Sequence, residues 1–336
     1  MAQGWQPRRL RLTQIGYQIN NGAVARERAH GPENSLMSSQ PTFLRISVVG
    51  LGLIGASAAA AWRQAGHLVT GWGPRLVTRD TALARGFVDA APESLTETVA
   101  NSDVVVLAAP VLAIRQLLTD IAPHLSPGTV VTDVASTKAS VEEWALNVLP
   151  ANVEWVGGHP MAGRETAGID HADSTLFNNR VWVVVPSNNA RDASVGRVVR
   201  LATDAGSKVI TMTAADHDVA VAQVSHVPFM ISTALSDAVI GNSKFGEWAP
   251  VAATGLRDIT RLASGDATMH RDICVTNRDN IAKGLEEVSA VLADLARQVR
   301  ELPNPATAIG SEELEVLNQT FRRIKYDRDG WLPNAK

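Results

Sequence analysis

The sequence predicts an α/β protein in which a doubly wound, mostly parallel sheet precedes a C-terminal all-helical dimerisation domain. Three observations carry that reading. From Phe43 onward, short β-branched runs alternate with helix-length segments, the pattern of βαβ units. A glycine-rich turn, Gly50-Leu-Gly52-Leu-Ile-Gly55, follows the first of those runs and opens a helix. After Thr213 the β-branched runs give way to long stretches with helical spacing. Taken in order, Arg45–Val49 reads as a strand, Ile54–Gln64 as a helix and Leu68–Trp72 as a strand. Further strands are expected at Asp103–Ala108, Thr129–Asp133, Val153–Gly157, Val181–Val185 and Lys208–Met212. Ala214–Asn242 and Ile273–Leu302 read as long helical segments. In the second, apolar residues recur at Val275, Ile281, Leu285, Val288, Val291 and Leu295. Pro303 and Pro305 end that region, and Glu312–Lys325 reads as one terminal helix.

The bulk properties fit this and narrow the function classes. The 336 residues are 45% hydrophobic and 19% charged, ample for a sizeable core. A formal net charge of -3 gives no electrostatic case for nucleic acid or an anionic membrane as partner. The single cysteine, Cys274, excludes an internal disulfide and suits a reducing compartment, so a cytoplasmic location is expected. No uninterrupted apolar run reaches the roughly 18–20 residues of a membrane span. Residues 1–42 have no sustained apolar period and no signal-peptide block. They read as a disordered extension, with Met37 just ahead of the first strand. His67, His124, His171 and His217 have no metal-ligand spacing, so no metal is expected. Cys274 reads as a core residue.

The glycine turn has the strand–turn–helix context of a dinucleotide cradle, which makes the sheet Rossmann-type. Gly50 permits the tight turn, Gly52 lets the backbone approach a pyrophosphate, and Gly55 lets helix and strand pack closely. The amides of Leu53 and Ile54, at the helix N-terminus, face the anion. Pro110, after the third strand, completes the expected cofactor contacts. An acid at the end of the second strand ordinarily binds the adenosine ribose of NAD. Here Gly73 stands at that position, and Arg75 and Arg79 follow it. A guanidinium clamps a phosphate well, so NADP is the expected cofactor, with NAD still able to bind. Residues 43–212 then form the dinucleotide-binding domain, 213–302 a helical substrate and dimerisation domain, and 303–336 a C-terminal tail.

Further motifs fall at strand ends and in the helical region. They are Asp133-Val-Ala-Ser136-Thr-Lys138, Gly157-Gly158-His159-Pro160-Met-Ala-Gly163, Asp216-His217-Asp218, Ser225-His226-Val-Pro228 and Arg257-Asp258-Ile-Thr-Arg261. Together, from about Leu44 to Arg300, they resemble the prephenate/arogenate dehydrogenase family of tyrosine biosynthesis in order and spacing. The resemblance implies oxidative decarboxylation of a cyclohexadienyl substrate with hydride transfer to NAD(P). It implies that His159 accepts a hydrogen bond from the ring hydroxyl and that Ser136 orients His159. Arg257 would hold the ring carboxylate and His226 the substrate side chain. Arg164 and Glu165 would lie beside the substrate, Glu165 as a gating residue, and His217 would be structural. A small-molecule substrate and a homodimer are the expected partners. Arg164 stands where the family often has threonine, and His270 where it often has tryptophan, so prephenate and arogenate both remain open. Fewer than about 40 residues follow Leu302, too few for an independent domain, so neither a fused mutase nor a regulatory domain is expected. The competing readings are a β-hydroxyacid-type dehydrogenase and a non-catalytic NADP-binding sensor. The first would have methionine where Ile54 stands and a lysine in its helical domain, where Lys244 has no supporting motif; the second has no need for His159, Ser136 and Arg257 together.

Overall fold

The computed structural model describes residues 43–163 and 166–331. The expected N-terminal extension, Arg164 and Glu165 lie outside them. The chain divides into two compact units, one ending at Arg278 and one beginning at Asp279.

The first unit is built on β1 (Arg45–Val49), β2 (Leu68–Trp72), β3 (Val104–Leu107), β4 (Val130–Asp133), β5 (Glu154–Pro160), β6 (Val181–Pro186) and β7 (Lys208–Thr211). They form one sheet in the order β2-β1-β3-β4-β5-β6-β7. Every neighbouring pair is parallel except β5 and β6. The exception has a sequence cause. The connection from Met161 to Arg180 holds no helix-length amphipathic run and, among its described residues, only a 3-10 turn at Ile169–His171, and a parallel return needs a crossover. The strand order reverses between β1 and β3, which places a crevice at the carboxyl ends of those two strands.

Helices cover both faces, so the central strands are apolar throughout; every residue of β3 and β4 is buried. One face packs against α1 (Leu53–Gln64) and α6 (Asp192–Asp204), whose contact is tied by Trp62 Nε1 donating to the Leu201 carbonyl at 2.7 Å. Four consecutive alanines, Ala58–Ala61, let α1 lie close. The other face packs against α4 (Val111–Ile121) and α5 (Ala139–Val148) through Ile114, Leu118, Val141 and Ala145. Two short helices, α2 (Leu76–Ala84) and α3 (Leu95–Val99), follow β2.

After β7, α7 (Ala214–Val221) and α8 (Val227–Ile240) form one continuous helix through a π-helical turn at Ala222–His226. Pro228 explains that turn: it lacks an N–H, and its ring would collide with the carbonyl four residues back, so the helix widens there. The Ser225-His226-Val-Pro228 motif therefore sets the direction of His226. This continuous helix corrects one sequence expectation. Its 27 residues are long and apolar enough to cross a membrane by length and hydropathy, because small and polar residues hide the run from inspection. Yet its buried His217 and Asp218 are hydrogen-bonded to the sheet domain (below), as in a protein interior. The unit ends with α9 (Phe245–Trp248), α10 (Thr254–Thr260) and α11 (Ala267–Thr276). The second unit holds α12 (Arg278–Glu301) and α13 (Glu312–Trp331). The terminal helix thus runs past the expected Lys325.

Candidate active site

The cradle between β1 and α1 has the geometry its glycines require. Gly50 has φ +111°, and a Cβ there would lie 2.2 Å from the Ala108 carbonyl oxygen beyond β3. At Gly55 a Cβ would lie 1.9 Å from the Gly50 oxygen. Gly52 differs: it is exposed and a Cβ would meet nothing within 4 Å. Two glycines close the turn, and the third leaves its outer face bare where a pyrophosphate would lie. Gly52 caps α1 without a side-chain bond, and no acid sits in the first turn. The amides of Leu53 and Ile54 therefore remain as anion donors. Pro110 is exposed at the start of α4. These residues fit a dinucleotide.

At the end of β2, Gly73 is buried but roomy; a Cβ there would only touch Thr78 and Leu51 at about 4 Å. Sterics do not demand glycine, so the missing acid is a chemical choice. Arg75 is exposed at the start of α2. Arg79 departs from the expectation of a free phosphate clamp: it is buried and donates through Nη1 to the Gly73 carbonyl at 2.8 Å.

A second cluster gathers three sequence motifs. His159 lies within β5, not in a loop after it, correcting the expected strand end at Gly157. Gly158 serves a close approach. A Cβ at Gly158 would lie 2.7 Å from the Asp133 oxygen and 3.0 Å from Trp182 Nε1. The β4–β5 ladder ends at the Val131–Trp155 pair. Beyond it, side chains replace the ladder: Asp133 Oδ1 accepts from Gly158 N at 3.0 Å, and Lys138 Nζ donates to the Gly158 carbonyl at 2.8 Å. Lys138 and Asp133 form a buried ion pair.

The hydrogen bonds around His159 fix its tautomer. Asp218 accepts from Lys138 N at Oδ1 (2.8 Å) and Ala139 N at Oδ2 (2.9 Å), and its Oδ1 also lies 2.8 Å from His217 Nδ1. An oxygen so placed accepts, so His217 Nδ1 donates, and in the neutral imidazole its Nε2 then carries the lone pair. That Nε2 lies 2.8 Å from His159 Nδ1, which therefore donates. His159 is left with its lone pair on Nε2. Burial holds the His159 pKa well below its usual value, and His217 and then Lys138 lower it further. The ring is neutral at pH 7.

His226 has the opposite tautomer. Asn277 Nδ2 donates to the Asp218 carbonyl at 2.8 Å and lies 3.3 Å from His226 Nδ1. Nδ1 is thus an acceptor, and Nε2 carries the hydrogen. Burial lowers the His226 pKa to about 4.

His217, read from sequence as structural, is thus the direct partner of His159. Ser136 is half-buried and, among the described residues, makes no side-chain hydrogen bond. The described partner of His159 Nδ1 is His217. Arg257 is exposed on α10 and pairs with no described acid, Asp258 included. No group of three or more candidate metal ligands occurs among the described residues.

Known proteins share this architecture. Residues 58–211 match the nucleotide-binding domain of prephenate dehydrogenase, and residues 213–322 match its dimerization domain. The chain is 30% identical to the prephenate dehydrogenase of Bacillus subtilis over 294 residues, 85% of this chain and 75% of that protein. It is 31% identical to the crystal structure of Synechocystis arogenate dehydrogenase, with a TM-score of 0.74, covering 86% of this chain and 100% of that one. It is 27% identical to a prephenate dehydrogenase from A. aeolicus solved with hydroxyphenyl propionate and NAD+, with a TM-score of 0.76 and coverage of 87% and 99%. A chain that carries both domains, the glycine cradle and the buried histidine pair belongs to the prephenate dehydrogenase family.

Proposed function

We propose that this protein is a NAD(P)-dependent dehydrogenase that oxidatively decarboxylates prephenate or arogenate, giving 4-hydroxyphenylpyruvate or tyrosine. The observation that carries the reading is the neutral His159 whose Nε2 lone pair is fixed by the His217–Asp218 chain. A ring hydroxyl about to lose hydride from its own carbon needs such an acceptor, and an imidazolium could not serve. NAD(P)+ in the cradle supplies the hydride acceptor. β5 lies three strands from β1 in the sheet, about 14 Å at the usual spacing, on the scale of an extended dinucleotide.

His159 Nε2 draws the proton from the hydroxyl. Loss of the ring carboxylate as carbon dioxide leaves an aromatic product. His226 Nε2–H donates to the substrate side chain, and Arg257 holds the ring carboxylate. Ser136 lies five residues before the buried α5 contact Val141, in the segment that carries Lys138, and helps position the nicotinamide. Arg164 and Glu165 serve the substrate side of the same site. At the adenosine end, room at Gly73 and the exposed Arg75 support a preference for NADP.

A homodimer is part of this reading. The most apolar 18-residue window of the Ala214–Ile240 helix is only 28% buried within one chain, a face suited to a second copy.

Replacing His159 by Asn tests the assignment. Turnover should fall about 10²–10⁴-fold, the usual worth of a general base, with little change in substrate affinity. Near-normal turnover would remove His159 from the mechanism.

A further inference from the structure

We propose that Asn277 is a positioning residue: it fixes the tautomer of His226 so that the ring presents Nε2–H, and not a lone pair, to the substrate side chain. The inference rests on the dehydrogenase reading above and adds to it the residue that decides what His226 can offer.

Asn277 caps the C-terminus of α11, which packs against the π-helical turn carrying His226. Both residues are buried. Which end of the Asn277 amide faces His226 is settled by its other partner. The Asp218 carbonyl oxygen can only accept, and it lies 2.8 Å from Nδ2, so that atom is the NH2 group. One hydrogen of Nδ2 goes to the carbonyl, and the other faces His226 Nδ1 at 3.3 Å. An amide nitrogen does not accept, so His226 Nδ1 must hold a lone pair. Burial keeps the ring neutral, with a pKa of about 4, so its single hydrogen sits on Nε2. Among the described residues none hydrogen-bonds that Nε2.

Asp218 thereby sets two rings in opposite senses. Its carboxylate, acting through His217, leaves His159 with a lone pair on Nε2. Its carbonyl, acting through Asn277, leaves His226 with a hydrogen on Nε2. The two rings answer two different needs of the substrate. The ring hydroxyl has a hydrogen to give. The side chain of prephenate and that of arogenate both end in a carboxylate, which only accepts. Aspartate at position 277 would keep the shape and reverse the second assignment. A carboxylate accepts, so His226 Nδ1 would take the hydrogen, and the Nε2 lone pair would face the substrate carboxylate.

The test uses the full-length protein and the variants N277D, N277L and H226F. Long-range proton–nitrogen NMR spectra of protein with isotope-labelled histidine report which ring nitrogen carries hydrogen, and H226F identifies the His226 signals by their loss. At pH 8 the wild type should carry the His226 hydrogen on Nε2, and N277D should carry it on Nδ1. N277D should then raise KM for prephenate and for arogenate at least about tenfold, with far less change in kcat, because the bonds of the His159 chain are kept. That excess over wild type should shrink at pH 6. Asp218, His270 and His217 already act on the ring; a carboxylate added at Nδ1 raises its pKa, and an imidazolium regains Nε2–H. A purely structural defect would not reverse in this way. N277L, which has no donor, should raise KM by a smaller factor, and it decides the matter alone if N277D fails to fold. A wild type with the His226 hydrogen on Nδ1, variants that keep it on Nε2, or an unchanged KM in both variants beside a raised KM in H226F would overturn the role of Asn277. A normal KM in H226F on both substrates, or a wild type that reduces no cofactor with either, would instead overturn the underlying reading, while the spectra still decide whether Asn277 sets the ring.

Discussion

Replacing His217 by Phe isolates what the histidine chain does. His217 is fully buried, and phenylalanine is of similar shape, so the space remains filled while the acceptor 2.8 Å from His159 Nδ1 is lost. Asp218 keeps its bonds from Lys138 N and Ala139 N, so the anchor of α7 to the sheet domain survives. The active tautomer of His159, with hydrogen on Nδ1, then has a buried donor without a partner. That costs about 1–3 kcal/mol relative to the other tautomer. The fraction of enzyme with a lone pair on Nε2 falls accordingly, and turnover should drop about 5- to 150-fold. His217 also adds to the depression of the His159 pKa, so its removal should move the acid limb of the kcat/KM profile upward in pH. The assay is steady-state cofactor reduction from pH 5 to 9 beside a thermal melt. A folded variant within twofold of wild type, with an unmoved acid limb, would refute the tautomer argument.

Other consequences follow from the same geometry. Gly52→Ala should leave the melting temperature nearly unchanged, because its Cβ meets open space, yet weaken cofactor binding in calorimetry; Gly55→Ala, which forces a Cβ against the Gly50 oxygen, should lower both. Gly73→Asp should fit without strain and raise the KM for NADP at least about tenfold through charge repulsion with the 2′-phosphate, while NAD is affected little or gains. An unchanged ratio of the two cofactors would show that specificity is read elsewhere. The pKa of His226 is about 4 when folded and near 6.5 when unfolded. Below pH 6.5 the unfolded chain takes up a proton that the folded one refuses. Stability should therefore fall from about pH 6.5 to about pH 4, by up to about 3 kcal/mol from this residue. His226→Gln should flatten that part of a melting-temperature profile.

The fold could be read from the chain wherever local chemistry decides it. The first four strands lie within a residue of their expected ends, because parallel strands covered on both faces are continuous apolar runs. The cradle was legible because its glycines have a steric cause. β5 was harder: its expected end at Gly157 falls three residues short of Pro160, and only the approach of Asp133 and Trp182 to Gly158 shows why glycine is needed inside a strand. The partner of His159 is 58 residues away, across a contact between α7 and the sheet domain that no local pattern encodes. A histidine beside an aspartate at the start of a helix was the one available sign, and it reads as well for a cap. The π turn had a clearer signal in Pro228, seven residues after the end of α7. Arg79 shows the reverse case: its spacing suggested phosphate, but a nearby backbone carbonyl claims it.

The central claim is that a neutral, tautomer-fixed His159 drives oxidative decarboxylation beside a dinucleotide cradle. It is tested most directly by incubating the purified protein with prephenate and with arogenate, each with NADP+ and with NAD+, and following reduced cofactor, carbon dioxide and aromatic product together. The account predicts that the three appear in equal amounts, faster with NADP+ than with NAD+, and that H159N slows all three together by about 10²–10⁴-fold. Cofactor reduction without carbon dioxide, or no reduction with any of the four pairs, would contradict it.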